Sequence, residues 1–417
     1  MTSTRNGRSV RVTCFLLAVA GLLLGASPGF AQGSIKIGML APLSGPFAQI
    51  GKDMVAGTEL YLDQIGWRVA GRQVEIIVED SEGNPQTGLT KARKLNDQDH
   101  VHVLTGALLS STAYALQPFV DGNKIPTTYP VAAPDDITQR KPAKWVVRTG
   151  WATSQPMHPL GEWAARNLKL RRVAVMAMDY SFGYESVGGF QQTFEENGGQ
   201  VVQKIWTPVN AMDFAPYLAQ VRRDVDGVFA VFVGRSALQF VKQYEETGLK
   251  GRVPLIGSGT TTDEIPLSSM GDEALGIITA QDYSAALDTP ANQAFRKAFG
   301  AKTGRVTSHY AEKCYTNARW IVEAIKAVDG KVEDRERFLA ALRAVQIKDA
   351  PRGPLTIDAY ANPVSNVYIR KVERINGTLQ NTVINTIPSV NQFWKYDPKD
   401  YLKMPLYDRN VPPCRYC

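Results

Sequence analysis

Ser110, Ser111 and Thr112 are the residues whose types and spacing best suit chemistry. They follow an apolar run of strand character, Val103-Leu104-Thr105, and a glycine, Gly106, and they open an Ala-rich helical pattern that runs through Leu116. A strand, a tight turn and a helix start in that order would offer unpaired N–H groups and a positive dipole end to a small anion such as a carboxylate. The same residue types also serve as an ordinary helix cap. Arg235, in Val233-Gly234-Arg235-Ser236, stands between a strand ending at Phe232 and the next helix. Its planar fork suits a carboxylate, and a solvated surface arginine is the plainer alternative. Phe182, in Asp179-Tyr180-Ser181-Phe182-Gly183, would bring a ring to the same end of another strand or pack in the core.

Other combinations exclude chemistry. Leu43 to Asp53 superficially suggests a phosphate loop, but five residues separate Gly45 from Gly51 where four are needed, and Asp53 stands where Ser or Thr would ligate magnesium. There is no Gly-x-Ser-x-Gly elbow, and only His100, His102, His158 and His309 are available as a base, so an exported hydrolase is a weak alternative. His100 and His102 alternate beside a strand and at best begin a metal site; a solvated pair is the simpler reading. No metal and no cofactor is expected. Cys414 and Cys417 follow Pro412-Pro413 instead of opening a helix in a βαβ unit, which argues against a redox centre and allows a small disulfide clip.

Arg5, Arg8 and Arg11, the apolar run Cys14 to Ala26 and the small residues Gly29 and Ala31 have the order of a secretory signal over residues 1–31, with cleavage after Ala31. The run is short of the roughly 20 residues of a membrane span, so stable membrane insertion is not expected. Removing those three arginines from 47 basic side chains against 40 acidic ones leaves about +4, too mild to argue for nucleic acid. The protein is expected in the periplasm, and its length calls for two domains.

Two runs of alternating elements must position the candidates. Strands at Ile35–Leu40, Val74–Val78 and Val101–Thr105 alternate with helices at Gly51–Gln64 and Thr87–Gln98. A second run predicts helices at Gln155–Asn167, Gly183–Asn197, Phe214–Arg223 and Ser236–Thr247. Its strands fall at Arg172–Met176, Val201–Trp206, Gly227–Phe232 and Val253–Ile256. This is the α/β pattern of two doubly wound parallel sheets, with a cleft between them lined by loops at strand C-termini. Asn376-Gly377-Thr378 reads as a turn between strands Val367–Arg374 and Thr382–Ile387. The tail from Lys395 to Cys417 packs along one domain or lies loose.

Leu40-Ala41-Pro42-Leu43-Ser44-Gly45-Pro46 with Gly51-Lys52 and Gly57 resembles the opening of the leucine/isoleucine/valine-binding proteins, type I solute-binding components of bacterial ABC importers. Gly106 with Ser110, Ile125-Pro126 with Pro130 and Thr138, Arg148-Thr149, Asp179 to Gly183, Asp213-Phe214 and Gly353-Pro354-Leu355 continue the resemblance from Ser34 to Asn385. It implies the type I periplasmic binding fold, two lobes joined by three crossings near Thr149, Tyr283 and Gly353. Lobe 1 would comprise residues 34–149 and 283–353, lobe 2 residues 150–282 and 354–394, and residues 395–417 an extension. It also implies a membrane permease as partner and no turnover, although a sensor of the same fold, signalling to a receptor, would share every feature.

The ligand is expected to meet Ile50, Leu108, Ser110, Ser111, Ala132, Ala133, Phe182, Arg235, Gly259 and Tyr310. By resemblance, Ser110 holds the ligand carboxylate and Phe182 replaces a covering tyrosine. Ala133 stands where a threonine normally assists the α-carboxylate and α-ammonium groups, and Gly259 where the acidic partner of the ammonium is expected. An ammonium without a partner is costly to bury. The expected ligand is therefore an amino-acid-like or aromatic organic carboxylate, with Glu264 or Asp263 as alternative sources of the missing charge.

Overall fold

The computed structural model describes residues 33–417; the leader lies outside the described residues. Six strands form the first sheet: β1 (Ile35–Ala41), β2 (Arg68–Val69), β3 (Arg72–Asp80), β4 (Val103–Gly106), β5 (Thr127–Tyr129) and β6 (Val146–Arg148). Their order is β2-β3-β1-β4-β5-β6, and all pairs from β3 to β6 are parallel. β1 is buried along nearly its whole length, as a strand covered by helices on both faces must be.

The second sheet begins with β7 (Arg172–Met178), β8 (Gln200–Thr207), β9 (Gly227–Val231), β10 (Leu255–Ser258) and β11 (Ile278–Gln281). It is completed by β12 (Ile347–Ala350), β13 (Gly353–Ile357), β14 (Pro363–Ile375) and β15 (Thr378–Val390). The order is β12-β13-β14-β11-β10-β9-β7-β8, with β15 beside β14. β14 and β15 form a hairpin over Asn376 (φ 50°) and Gly377 (φ 80°), two left-handed positions in succession that match the twist of the strands.

Each sheet reverses its winding at one place: between β1 and β4 in the first, and between β7 and β9 in the second. Crevices open beyond the carboxyl ends of strands at such switch points. The predicted helix Phe214–Arg223 shrinks to the turn Ala215–Leu218, with Phe214, Leu218 and Val221 still buried on one side and Arg222 bonded to the exposed Asp224.

Three crossings join the halves. The first runs from β6 to β7. The second leaves β11 for the helix His309–Ala327, whose Ala318, Trp320, Ile321 and Ile325 share a core with β1 and β4. The third runs between Leu355, which packs in that first core, and Val367, which packs in the second. The second core continues across the cleft to Ile50, Leu108, Leu109 and Val131, so the two halves are closed on each other.

The tail is not loose. Tyr396, Tyr401 and Tyr407 surround the buried His158 of the helix Met157–Asn167, with His158 Nε2 3.0 Å from the Tyr407 hydroxyl. From the first half, Arg140 Nε donates to the Met404 carbonyl at 2.7 Å. Cys414 and Cys417 are bridged.

Candidate functional site

The two switch points face each other across a small cavity. After β4 come Leu108, Leu109 and Ser110; after β5, Val131 and Ala133; after β7, Tyr180 and Phe182; after β9, Val233; after β10, Thr260. Trp151 from the first crossing and His309-Tyr310 from the start of the helix His309–Ala327 complete the wall. Its volume is ≈ 20 Å³, space for about one water centre. A larger ligand therefore needs the facing walls to move apart.

Gly106 makes the turn into this wall. Its φ is +96°, and a Cβ there would lie 2.2 Å from the Leu40 carbonyl oxygen, so only glycine lets β4 turn so close to β1. The helix Ser110–Gly122 then starts one residue before the expected capping residues can act. Leu109 holds the cap position in extended conformation and gives no side-chain cap; its carbonyl accepts from the Thr112 and Ala113 N–H groups at 3.0 and 3.2 Å. The hydroxyls of Ser110 to Thr112 thus do not close the helix, and the Ser110 and Ser111 N–H groups at its start remain available to an anion.

The predicted site residues separate into three groups. Leu108, Ser110, Ala133, Phe182 and Tyr310 come together in the cavity wall. Ile50 and Arg235 line a larger outer cleft of ≈ 630 Å³, beside Gln49, Asp53, Glu264 and Arg305. Phe47 and Ile50 of the first half pack against Gly234, where a Cβ would meet them at 3.6 and 3.5 Å. Gly234 separates Val233, in the inner wall, from the exposed Arg235. Ser111, Ala132 and Gly259 line neither space: Ala132 packs in the first core, and the Gly259 carbonyl accepts from Arg370 Nη2 at 2.9 Å. Thr260, one residue on, takes the wall position.

His309 is the polar wall residue that the sequence reading did not select. Ser308 caps its helix by accepting from the Ala311 N–H, and the backbone N–H of His309 donates to Asp263 Oδ2 at 3.2 Å. His309 Nδ1 lies 2.7 Å from the same oxygen. His309 is 1 % exposed, and its Nε2, like the Tyr310 hydroxyl and the Trp151 indole nitrogen, has no hydrogen-bond partner among the described residues. Burial, then the nearby Lys313 charge, holds the imidazole well below its ordinary pKa; burial raises Asp263 to about 6. Neither group favours a charge by burial alone. Asp263 Oδ2 accepts from the backbone N–H and faces Nδ1, a pairing that favours Nδ1–H donating to the carboxylate and leaves Nε2 as an acceptor. The nearest sequence signal was Tyr310, one residue away, which is among the residues expected to meet the ligand.

Behind the wall, all three crossings meet a buried charge cluster. Lys313 Nζ donates to Asp282 at 2.6 Å, Arg352 Nη1 to Glu312 at 3.2 Å, and Arg352 Nη2 to the Thr149 carbonyl. Lys313 Nζ also lies 5.2 Å from the ring centroid of Trp151, tying the cluster to the cavity. Beside the cavity, Glu185 of the helix Ser181–Glu196 accepts from the Tyr114 hydroxyl at 2.8 Å and from the Asp135 N–H at 3.1 Å. This contact joins the halves. Burial, followed by the Asp135 charge, pushes the Glu185 carboxyl well above its usual range.

Glu264 does not supply the charge missing from Gly259. It lines the outer cleft, with Oε1 accepting from Asn381 at 3.1 Å, while Asp263 is engaged by His309. Among the described residues no cluster of three metal-ligating side chains exists, and no helix is long and apolar enough to cross a membrane.

A family model described as periplasmic binding protein matches residues 34–378. The Leu/Ile/Val-binding protein homolog 6 of Brucella melitensis biotype 1 is 31 % identical over 381 residues, 89 % of this chain and 96 % of the relative. A solute-binding protein of an ABC transporter from Rhodopseudomonas palustris BisB5, solved with 3,4-dihydroxybenzoic acid, superposes with TM-score 0.82 at 32 % identity. A second, from R. palustris with benzoate, gives 0.81 at 31 %. Both alignments cover 86 % of this chain and 98 % of the other. With strand order, closed cleft and match extending over the same residues, the chain belongs to the periplasmic binding protein family, in its type I Leu/Ile/Val-binding branch, and is the solute-binding component of an ABC importer.

Proposed function

We propose that the protein captures an aromatic or bulky apolar carboxylate, without requiring an α-ammonium group, and presents it to the importer's permease. The observation that carries this is the composition of the cavity wall. Trp151, Tyr180, Phe182 and Tyr310 give it an aromatic body, the uncapped start of the helix Ser110–Gly122 offers an anion site, and no free carboxylate lines it. An α-ammonium group there would be buried without a counter-charge, at a cost of several kcal/mol, whereas a carboxylate meets N–H groups and the Ser110 hydroxyl. The two R. palustris relatives solved with benzoate-type acids support the same class.

The protein works in the periplasm after removal of residues 1–31, and releases its ligand unchanged. The lobes proposed at residues 34–149 with 283–353, and 150–282 with 354–394, part to admit the ligand and close on it. Small-angle scattering is expected to show a smaller radius of gyration with ligand than without.

A thermal-shift screen tests the ligand class, because a ligand that binds only the folded protein raises its melting temperature. Benzoate-type acids and 4-methylpentanoate are expected to shift the protein more than leucine, isoleucine, valine or phenylalanine. A shift by leucine without one by 4-methylpentanoate would establish an ammonium site and overturn the reading. Recovery of more converted ligand than protein present would overturn the absence of chemistry.

A further inference from the structure

Of the polar atoms in the cavity wall, His309 Nε2 is the one whose ring is oriented by a buried carboxylate. Asp263 Oδ2 receives both the backbone N–H and Nδ1 of His309, so the ring is held at two points and its tautomer is set by the carboxylate. The opposite nitrogen is buried, unpartnered and in the wall of a cavity that also carries an uncapped helix start. A buried acceptor left without a donor is unfavourable, so the arrangement gains most from a ligand that brings one. We propose that His309, oriented by Asp263, accepts a hydrogen bond from a hydroxyl on the ligand and so makes the site selective for hydroxylated aromatic carboxylates over their unsubstituted parents. This rests on the carboxylate reading above and adds a second polar requirement to it.

The geometry separates this role from simple packing. Asp263 can receive the Nδ1 proton but cannot supply one while ionised, and burial keeps the imidazole neutral. An ether oxygen, which only accepts, would face a lone pair on Nε2. A hydroxyl, which donates, would not. Methylating the ligand hydroxyl therefore removes the contact and introduces a repulsion, whereas packing alone would tolerate or welcome the added methyl group in a site that accommodates it. Asn at position 263 could turn its amide N–H toward Nδ1, which would move the ring proton to Nε2 and reverse the preference.

The test is calorimetric titration of the mature protein with benzoate, 3-hydroxybenzoate, 4-hydroxybenzoate and 4-methoxybenzoate, repeated on His309→Phe, His309→Gln and Asp263→Asn. Wild type is expected to bind the better hydroxybenzoate about tenfold or more tightly than benzoate and the methoxy acid. His309→Phe is expected to lose the hydroxyl preference, binding benzoate and the hydroxybenzoates with the same affinity, and His309→Gln, whose amide oxygen accepts, to restore part of the preference. Asp263→Asn is expected to narrow or invert the ranking of hydroxy and methoxy acids. Equal binding of all four acids by wild type, or an unchanged hydroxyl preference in His309→Phe, overturns the inference and leaves the carboxylate reading standing. Failure of every acid with binding of leucine overturns the carboxylate reading itself. Should His309→Phe not fold, the Nε2 signal in the nitrogen NMR spectrum of wild type decides: an unprotonated Nε2 that shifts on adding hydroxybenzoate but not benzoate supports the role, and a protonated one removes it.

Discussion

The inner cavity and the charge cluster behind it are both buried and both polar, yet the cluster pairs each of its charges while the cavity wall leaves three polar side chains unpaired among the described residues. In the cluster, Lys313, Asp282, Arg352 and Glu312 each have an opposite charge within 4 Å, and the three crossings between the halves converge on them. In the cavity wall, His309 Nε2, the Tyr310 hydroxyl and the Trp151 indole nitrogen have no partner among the described residues. Burying a polar group is tolerable when its hydrogen bond is made and costly when it is not. Paired groups hold the hinge region together; unpaired ones, in the wall between the two switch points, fit a molecule that arrives from outside. The distance between the two behaviours is one side chain, since Lys313 lies over the Trp151 ring.

The comparison breaks first if the cluster proves dispensable. Lys313→Met leaves Asp282 buried beside only the more distant Arg352, and is expected to destabilise the protein by about 3–5 kcal/mol in chemical denaturation. A loss below about 1 kcal/mol would mean that the cluster is not what holds the crossings. Ser110→Ala should do the reverse. Its hydroxyl caps nothing, so stability is expected to stay within about 0.5 kcal/mol, while affinity for an aromatic carboxylate falls about tenfold, measured by calorimetry.

Glu185 lies between the two cases, being partnered but raised in pKa. Tyr114, Asp135, Thr153, Tyr180 and Arg148 are the polar groups around it. Its folded pKa is above the unfolded 4.5, so the folded protein holds a proton that the unfolded chain lacks, and this contribution to stability is lost as pH rises through the folded pKa. Glu185→Gln, which cannot ionise, is therefore expected to gain melting temperature relative to wild type as pH rises from 4.5 to 7. A difference that is flat with pH contradicts the assignment. The smallest effect is expected at Arg235. It is exposed in the outer cleft, and Arg235→Ala should change carboxylate affinity by less than about threefold; a tenfold loss would move the anion site outward.

The sequence revealed what depends on local pattern. Apolar strands alternating with amphipathic helices mark both doubly wound sheets, Gly106 and Ser110 mark a strand–turn–helix, and Asn376-Gly377 marks a hairpin, because turn chemistry and periodicity are written in neighbouring residues. The remainder depends on which surfaces meet. Arg235 and Val233 are two residues apart but open on different spaces, as Phe47 and Ile50 from the other half seat against Gly234 between them. Gly259 and Thr260 exchange roles for a similar reason, because Arg370, from the distant β14, occupies the Gly259 carbonyl. His309 carries no local mark of its role: what frees its Nε2 for a ligand is Asp263, 46 residues away in sequence. The tail likewise has no periodicity to read, and only His158 shows why three tyrosines gather there.

A crystal structure of the complex with 4-hydroxybenzoate tests the central contrast most directly. The carboxylate is expected at the start of the helix Ser110–Gly122, the ring against Trp151 and Phe182, and the hydroxyl within hydrogen-bond distance of His309 Nε2, with the Lys313–Asp282 and Arg352–Glu312 pairs unchanged. A ligand seated in the outer cleft on Arg235, or an Nε2 still unpartnered beside a bound ligand, would contradict the account.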